Sequence, residues 1–311
     1  MIAKWHLKAF VQKCISYMPQ SQRINLWFQK NVTKGVELTD EYFGYKITHA
    51  KDHLKFFKKH LNKSLNECTF LELGTGWYPI VPIALYLNDV KKGFTLDLSD
   101  WMTLENLIIT CKKYVEWQQD GKLKNYLPNI NQQKWSYIQE LANAKTNNLN
   151  IKETFTNIGL TRIIGDARRL QFENNSIDLI CSNNTFEHIP KSILIDILSE
   201  FKRVAKAGGV MCHHIDMSDH FAHFDKSINI YNFLKFSDKA WKRIDNTIQP
   251  QNRMRFKDYK AMYKQIDLPV TDEEYLTGNL DDLSIISINN EFKNYTPAEL
   301  AISQGYLISK M

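Results

Sequence analysis

Apolar residues recur at helical spacing near the start of the chain, where Leu7, Phe10, Val11, Cys14, Ile15 and Met18 share a stripe flanked by Lys4, Lys8 and Lys13. The spacing predicts an amphipathic helix over residues 4–18, stopped by Pro19. A second helix is expected from Glu41 to Leu61, with Thr39 or Asp40 as N-cap and Phe43, Ile47, Ala50, Leu54, Phe57 and Leu61 on one face. From Thr69 the pattern changes. Short apolar runs at Thr69–Leu73, Gly93–Leu98, Thr161–Gly165, Ile177–Ser182 and Gly209–Asp216 alternate with helical segments at Ile80–Leu87, Ser192–Ala205 and, more loosely, Trp101–Gln119. Such alternation predicts a mostly parallel sheet with crossover helices. More than sixty residues separate the second and third strands, about twice what one helix and two loops need, so a helical insertion is expected over about 101–160. Beyond the fifth strand, Phe233–Trp241 and Asp258–Ile266 read as helices, Arg253 to Phe256 as a basic turn, and Ser284–Ile288 and Ile302–Ser309 as the last strands.

Length and composition agree with a large globular unit. The chain has 311 residues, 43% hydrophobic and 24% charged, which argues against disorder, collagen or a rod. The longest apolar run, Ile80 to Leu87, is far shorter than the roughly 20 residues of a bilayer span. With no secretory leader pattern, the expected location is cytoplasmic. Five widely spaced cysteines without a C-x-x-C pair read as reduced structural thiols. The formal charge of +6 is concentrated: residues 1–36 hold Lys4, Lys8, Lys13, Arg23, Lys30 and Lys34 and no acid, while the remainder is neutral. A nucleic-acid binder spreads its basic stripe over the body, so no nucleic acid is expected. The arm is read either as a helix docked on the core, which is preferred, or as a peripheral membrane contact by residues 1–36.

The sharpest local feature is Phe70-Leu71-Glu72-Leu73-Gly74-Thr75-Gly76, an apolar strand that ends in an acid and opens into a glycine turn. A dinucleotide fingerprint needs a third glycine, and Pro79 stands there instead. The acid also disfavours a diphosphate and favours a ligand with positive charge. Downstream come Asp97 at the end of the second strand, 25 residues after Glu72, then Gly165-Asp166-Ala167 after the third, and Ser182-Asn183-Asn184-Thr185-Phe186-Glu187-His188 after the fourth. In this order the motifs resemble the class I S-adenosylmethionine (SAM) dependent methyltransferases over residues 69–216, apart from the insertion.

That resemblance implies a Rossmann-like α/β fold, a doubly wound, mostly parallel sheet with helices on both faces and one antiparallel late strand. It divides the chain into an N-terminal helical extension, 1–62, and a methyltransferase domain, 63–311. It implies SAM as cofactor, bound by Glu72, Gly74, Thr75, Gly76, Asp97, Leu98, Asp166, Ala167 and Ser182, with Asp97 on the ribose hydroxyls and Asp166 facing the adenine amino group. The loop after the fourth strand lacks the N/D-P-P-Y/F motif of amino-methyltransferases of DNA bases or glutamine, so a small-molecule or glycan hydroxyl is the expected acceptor. A catalytically inactive SAM- or nucleotide-binding protein that docks a partner through its basic arm is the other reading.

Five of the nine histidines fall between 188 and 223. Histidine suits a general base near neutrality. His214 and Asp216 share one strand face and lie nearest its carboxyl end, with His213 on the other face. The expected base is therefore His214, with Asp216 orienting it or binding the acceptor, and His188 second. A metal on His213, Asp216, His220 and His223 is the rival reading, and none is assigned. Arg253 and Arg255 are candidates for holding an acidic acceptor, against solvated salt bridges. Trp77, Trp101, Trp117 and Trp135 either wall a pocket or fill the core.

Overall fold

The computed structural model describes residues 4–19, 21, 24 and 37–311. Of the basic arm, Arg23, Lys30 and Lys34 lie outside the described residues. In chain order the elements are α1 (Lys4–Ser16), α2 (Asp40–His60), β1 (Thr69–Leu73), α3 (Ile80–Leu87), β2 (Lys92–Asp97), α4 (Leu104–Gln119), α5 (Gln132–Asn143), α6 (Ile151–Asn157), β3 (Leu160–Ile164), β4 (Ile177–Asn183), α7 (Lys191–Val204), β5 (Ala205–Asp216), α8 (Phe221–Phe224), α9 (Asp238–Ile244), α10 (Phe256–Gln265), β6 (Asp272–Thr277), α11 (Leu280–Ser284), α12 (Pro297–Ala301) and β7 (Ile302–Lys310).

The seven strands form one sheet in the order β3-β2-β1-β4-β5-β7-β6. β1 to β5 pair in parallel, and β7 runs antiparallel between β5 and β6. This is the doubly wound α/β sheet expected, with its strand order reversing beside β1. A ligand crevice forms there because the crossover helices on either side of a switch point leave the sheet in opposite directions. One core layer joins α2, α3, α4 and α5 to the sheet through residues such as Phe43, Ile47, Phe57, Leu85, Tyr114 and Ile138. The other packs α7 and α10 through Leu198, Phe201, Tyr259 and Tyr263.

The insertion is helical, as α4, α5 and α6, and caps itself with side chains: Thr103 accepts from the amide of Asn106, and Asn131 from those of Gln133 and Lys134. Trp117 and Trp135 are core, while the half-buried Trp101 pairs with Trp77. Trp117 meets Phe43 at 4.8 Å between ring centroids, and Trp135 is buried. Helix α2 is capped by Thr39 and its Phe43, Ile47, Ala50, Leu54 and Phe57 are buried, as the spacing predicts.

Two expectations fail. The sixth strand is Asp272–Thr277, not Ser284–Ile288, which instead begins in the short helix α11 capped by Asn279. β6 is a sheet edge of charged and exposed residues, held by ion pairs of Lys55 with Glu274, Lys59 with Asp272 and Lys260 with Glu273, so it has no apolar run to betray it. Helix α1 is docked, but on a face other than the apolar stripe. Trp5, Ala9, Gln12 and Ile15 point inward, while Leu7, Phe10, Val11 and Met18 are exposed. Trp5 settles this, since its large ring packs with Phe221 and Phe236 and its amide donates to Asp225. No helix among the described residues is long and apolar enough to cross a membrane.

Candidate functional site

The carboxyl ends of β1 and β2 bring Glu72, Gly74, Thr75, Gly76 and Asp97 together. Gly74 has φ +78°, and a Cβ there would stand 2.2 Å from Thr185 Oγ1, so only glycine fits the turn. Gly76 also has positive φ, +71°, but nothing lies within 4 Å of its missing side chain, which leaves its backbone open to a ligand. Thr75 Oγ1 donates to Glu72 Oε2 at 2.6 Å, and the Gly76 amide faces both Asp97 oxygens at 3.3 and 3.4 Å. Burial pushes both acids up to about 7, against the hydrogen bonds each accepts. Two desolvated carboxylates beside an open glycine turn suit a ligand with a cationic head and vicinal hydroxyls, so the residues present fit SAM.

Other expected cofactor residues are placed differently. Asp166 is gripped by Arg168 through Nε and Nη2 (2.6 to 3.0 Å), which holds its carboxyl down at about 2. With Arg168 it lines a groove against Asp196, Ser199, Glu200 and Arg203 of α7. Ala167 is buried in the core, and Leu98 is 80% exposed. Ser182 is fully buried, with its Oγ 2.8 Å from His213 Nδ1, and that ring is stacked against Phe186 and Phe201. His213 thus points to the face opposite His214, as alternation requires.

On the other face, α2 supplies residues that the apolar pattern did not single out. Tyr45, His49 and His53 recur every four residues, a second stripe beside the apolar one, and that spacing is the signal that could have found them. His53 Nε2 lies 2.8 Å from Asn183 Oδ1, and Asn183 Nδ2 reaches Glu72 at 3.4 Å. Asn184, at φ +52°, donates to Tyr45 Oη (2.8 Å) and accepts from Lys46 Nζ (3.3 Å). The helix thereby ties itself to the loop that closes the crevice.

Tyr45, His49, Asp52, His214, Tyr275 and Tyr306 line a cavity of about 610 Å³ between α2 and the β6–β7 hairpin. Tyr306 Oη donates to Asp52 Oδ2 at 3.0 Å and accepts from His49 Nδ1–H at 2.6 Å. A hydroxyl that gives its only proton to the carboxylate must receive one from the imidazole, so the proton of His49 is fixed on Nδ1. Its Nε2 is left buried with a lone pair and no partner; His214 Nδ1 is likewise buried without a partner, and the two rings lie 4.0 Å apart. Burial holds both histidines neutral, driving His214 down to about 3 and His49 further.

Asp216 does not orient His214. Its Oδ1 accepts from the Ser218 amide at 2.9 Å, and its Oδ2 stands 3.7 Å from Nε2 of both His220 and His223. His188 turns the same way, and its Nδ1 lies 2.7 Å from the Pro250 carbonyl oxygen. Both arginines are engaged by protein partners. Arg255 is buried and donates to the carbonyls of Met217, Leu300 and Ile302, while Arg253 clamps Phe233, Phe236, Asp238 and Glu291.

Residues 135–213 match the family model of a methyltransferase domain. No curated protein matches the chain. Among solved structures, a geranyl diphosphate C-methyltransferase of Streptomyces coelicolor A3(2) is 11% identical over 88% of this chain and 85% of its own, with TM-score 0.46. The PH0226 protein of Pyrococcus horikoshii OT3 is 14% identical over 88% and 92%, with TM-score 0.46. The YcgJ protein of Bacillus subtilis is 13% identical over 84% and 95%, with TM-score 0.40. The family match thus falls on the stretch from α5 to β5, within the sheet of parallel strands closed by antiparallel β7.

Proposed function

We propose that the protein transfers a methyl group from SAM to an oxygen of a small-molecule or glycan acceptor seated in the cavity between α2 and the β6–β7 hairpin. SAM supplies an electrophilic methyl group on a sulfonium. Glu72 offers a negative charge for the amino-acid end of the cofactor, Asp97 accepts from the ribose hydroxyls, and the open backbone at Gly76 allows close approach. The reading is carried by two buried imidazole nitrogens left unpaired on residues that line this cavity, His214 Nδ1 and His49 Nε2.

An acceptor hydroxyl needs a proton acceptor as it attacks, and a neutral, desolvated imidazole is one. The acceptor oxygen forms the new C–O bond, the C–S pair returns to sulfur, and the hydroxyl proton passes to His214 Nδ1. A conjugate acid near pKa 3 is a weak base for a ground-state alcohol. It suffices here because the oxygen becomes strongly acidic only as it takes the methyl. His49, with its tautomer fixed by Tyr306, packs against the His214 ring and holds it in place.

A screen of cell metabolites and glycan precursors with methyl-labelled SAM tests the reading. Once an acceptor is found, His214→Ala should lower turnover by about 10² to 10⁴ while SAM affinity stays nearly intact. Full turnover in that variant would remove His214 as the base, and failure of the wild type to bind SAM at millimolar concentration would remove the cofactor assignment.

A further inference from the structure

We propose that α1 carries a membrane-docking face, a stripe of exposed apolar side chains that lies on an anionic lipid surface with basic residues at its borders. The helix is built with two working sides. Trp5, Ala9, Gln12 and Ile15 return at three- and four-residue spacing to the side packed on α8 and α9, so positions about half a turn away, 7, 11, 14 and 18, are turned outward. These outward positions, with Phe10 and Tyr17 beside them, hold the large apolar residues of the segment.

Their exposure is the decisive observation. Leu7 is 62% exposed, Phe10 66% and Met18 51%, and Val11 and Tyr17 are exposed with them. Exposed apolar residues that stand singly are ordinary, whereas several in one patch mark a surface that binds a protein or a membrane. Phe224 at the end of α8 is also exposed, and Lys8 Nζ lies 4.7 Å over its ring, which brings a further apolar side chain beside the helix.

Charge selects the occupant. Residues 1–36 contain no acid, and Lys4 is exposed on α1. Lys13 Nζ donates to the carbonyl oxygens of Lys242 (3.0 Å) and Asp245 (2.6 Å), which sets the exposed Lys242 and Arg243 of α9 alongside the helix. The acids on the neighbouring segments are engaged: Asp225 accepts from the Trp5 amide, Asp238 pairs with Arg253, and Asp245 accepts from the Gln251 amide. An apolar strip bordered by free cations matches the boundary between acyl chains and anionic headgroups, where apolar side chains enter the lipid and lysine and arginine reach the phosphates.

The test needs no acceptor and no SAM. Full-length protein is sedimented with vesicles of phosphatidylcholine alone and of equal parts phosphatidylcholine and phosphatidylglycerol. At low salt the mixed vesicles should capture it about tenfold better than the neutral ones, and raising salt from about 0.1 to 1 M, which shortens screening from about 10 to 3 Å, should release it. The double variants Leu7→Ser with Phe10→Ser and Lys4→Glu with Arg243→Glu should each weaken capture about tenfold, whereas Leu280→Ser, which changes an exposed apolar side chain on α11, should not alter it; circular dichroism checks that each variant is folded. Absence of capture by the mixed vesicles at low salt, or equal capture by the neutral ones, would overturn the proposal. So would capture within twofold of wild type in the folded Leu7→Ser and Phe10→Ser variant. A wild-type dimer in sedimentation velocity that the same variant converts to monomer would overturn it too, by assigning the stripe to a second copy of the chain.

Discussion

Asp97 shows how much a single side chain is asked to do. It sits where β2 ends, half-buried, and its only backbone donors come from the turn at Thr75 and Gly76. The bonds from Gly76 are long, 3.3 and 3.4 Å, and the backbone donors do not offset the burial that lifts the acid to about 7. Vicinal ribose hydroxyls would supply the missing donors. Asp97→Ala is therefore expected to cost about 1.5 to 3 kcal/mol of SAM affinity, the range for hydrogen bonds to a charged group. The sign of the pH effect follows from the same shift. Because Asp97 and Glu72 titrate near 7, SAM affinity of the wild type should weaken as pH falls from 8 to 6, and the Asp97 variant should lose part of that dependence. Calorimetry at three pH values checks both, and an unchanged dissociation constant at pH 8 would take Asp97 out of the site.

At the scale of elements, α2 does more than cover the sheet. Its apolar stripe fills the core, while the stripe Tyr45, His49 and His53 reaches Asn184, Tyr306 and Asn183 on three separate segments. Tyr306→Phe tests this bridge: it strips one partner from His49 Nδ1 and one from Asp52, two groups that remain buried or half-buried. Equilibrium unfolding in urea should show a loss of about 1 to 3 kcal/mol, the penalty for leaving such a group unsatisfied, whereas a loss below half a kcal/mol would mean that water replaces the hydroxyl. The same helix explains what the sequence could and could not disclose. Periodicity locates β1, α3, α7 and α2 within a residue, because each buries a continuous apolar face. It misses β6, an exposed edge that opens with three consecutive acids, and it misreads α1, where one tryptophan outweighs five smaller apolar residues. Within the site, Glu72, Gly74, Gly76 and Asp97 are legible because their neighbours in sequence are also neighbours in space. Asp166 follows its local motif yet is captured by Arg168 two residues away. The partners of His214 come from α2 and β7, and those of Asp216 from the chain beyond β5, and neither association leaves a trace in local spacing.

Across the whole molecule, buried histidines govern the response to acid. His49, His53, His188, His213, His214 and His220 all have their pKa lowered, first of all by burial. A lowered histidine stays neutral in the fold but takes a proton near 6.5 once unfolded, so its contribution to stability is present above that pH and is lost as pH falls. Glu72, Asp97 and Glu187 act in the opposite sense, being raised by burial. They hold protons in the fold that the unfolded chain releases above about 4 to 4.5, so their contribution is fully present below those values and is lost as pH rises through their own raised pKa. Between pH 6.5 and 5 the six histidines outnumber the three acids. Each uncompensated proton changes stability by about 1.4 kcal/mol per pH unit. The melting temperature should therefore be highest near pH 7 and fall steeply toward pH 5. Above pH 7, Glu72 and Asp97 ionise at a cost that a cationic, hydroxyl-bearing cofactor relieves, so the rise in melting temperature on adding SAM should be larger at pH 8 than at pH 6. Scanning calorimetry with and without SAM measures both trends. A melting temperature that is flat or rising from pH 7 to 5.5 would mean that water reaches these histidines in the native state, and an equal SAM shift at pH 6 and 8 would separate the two acids from the cofactor.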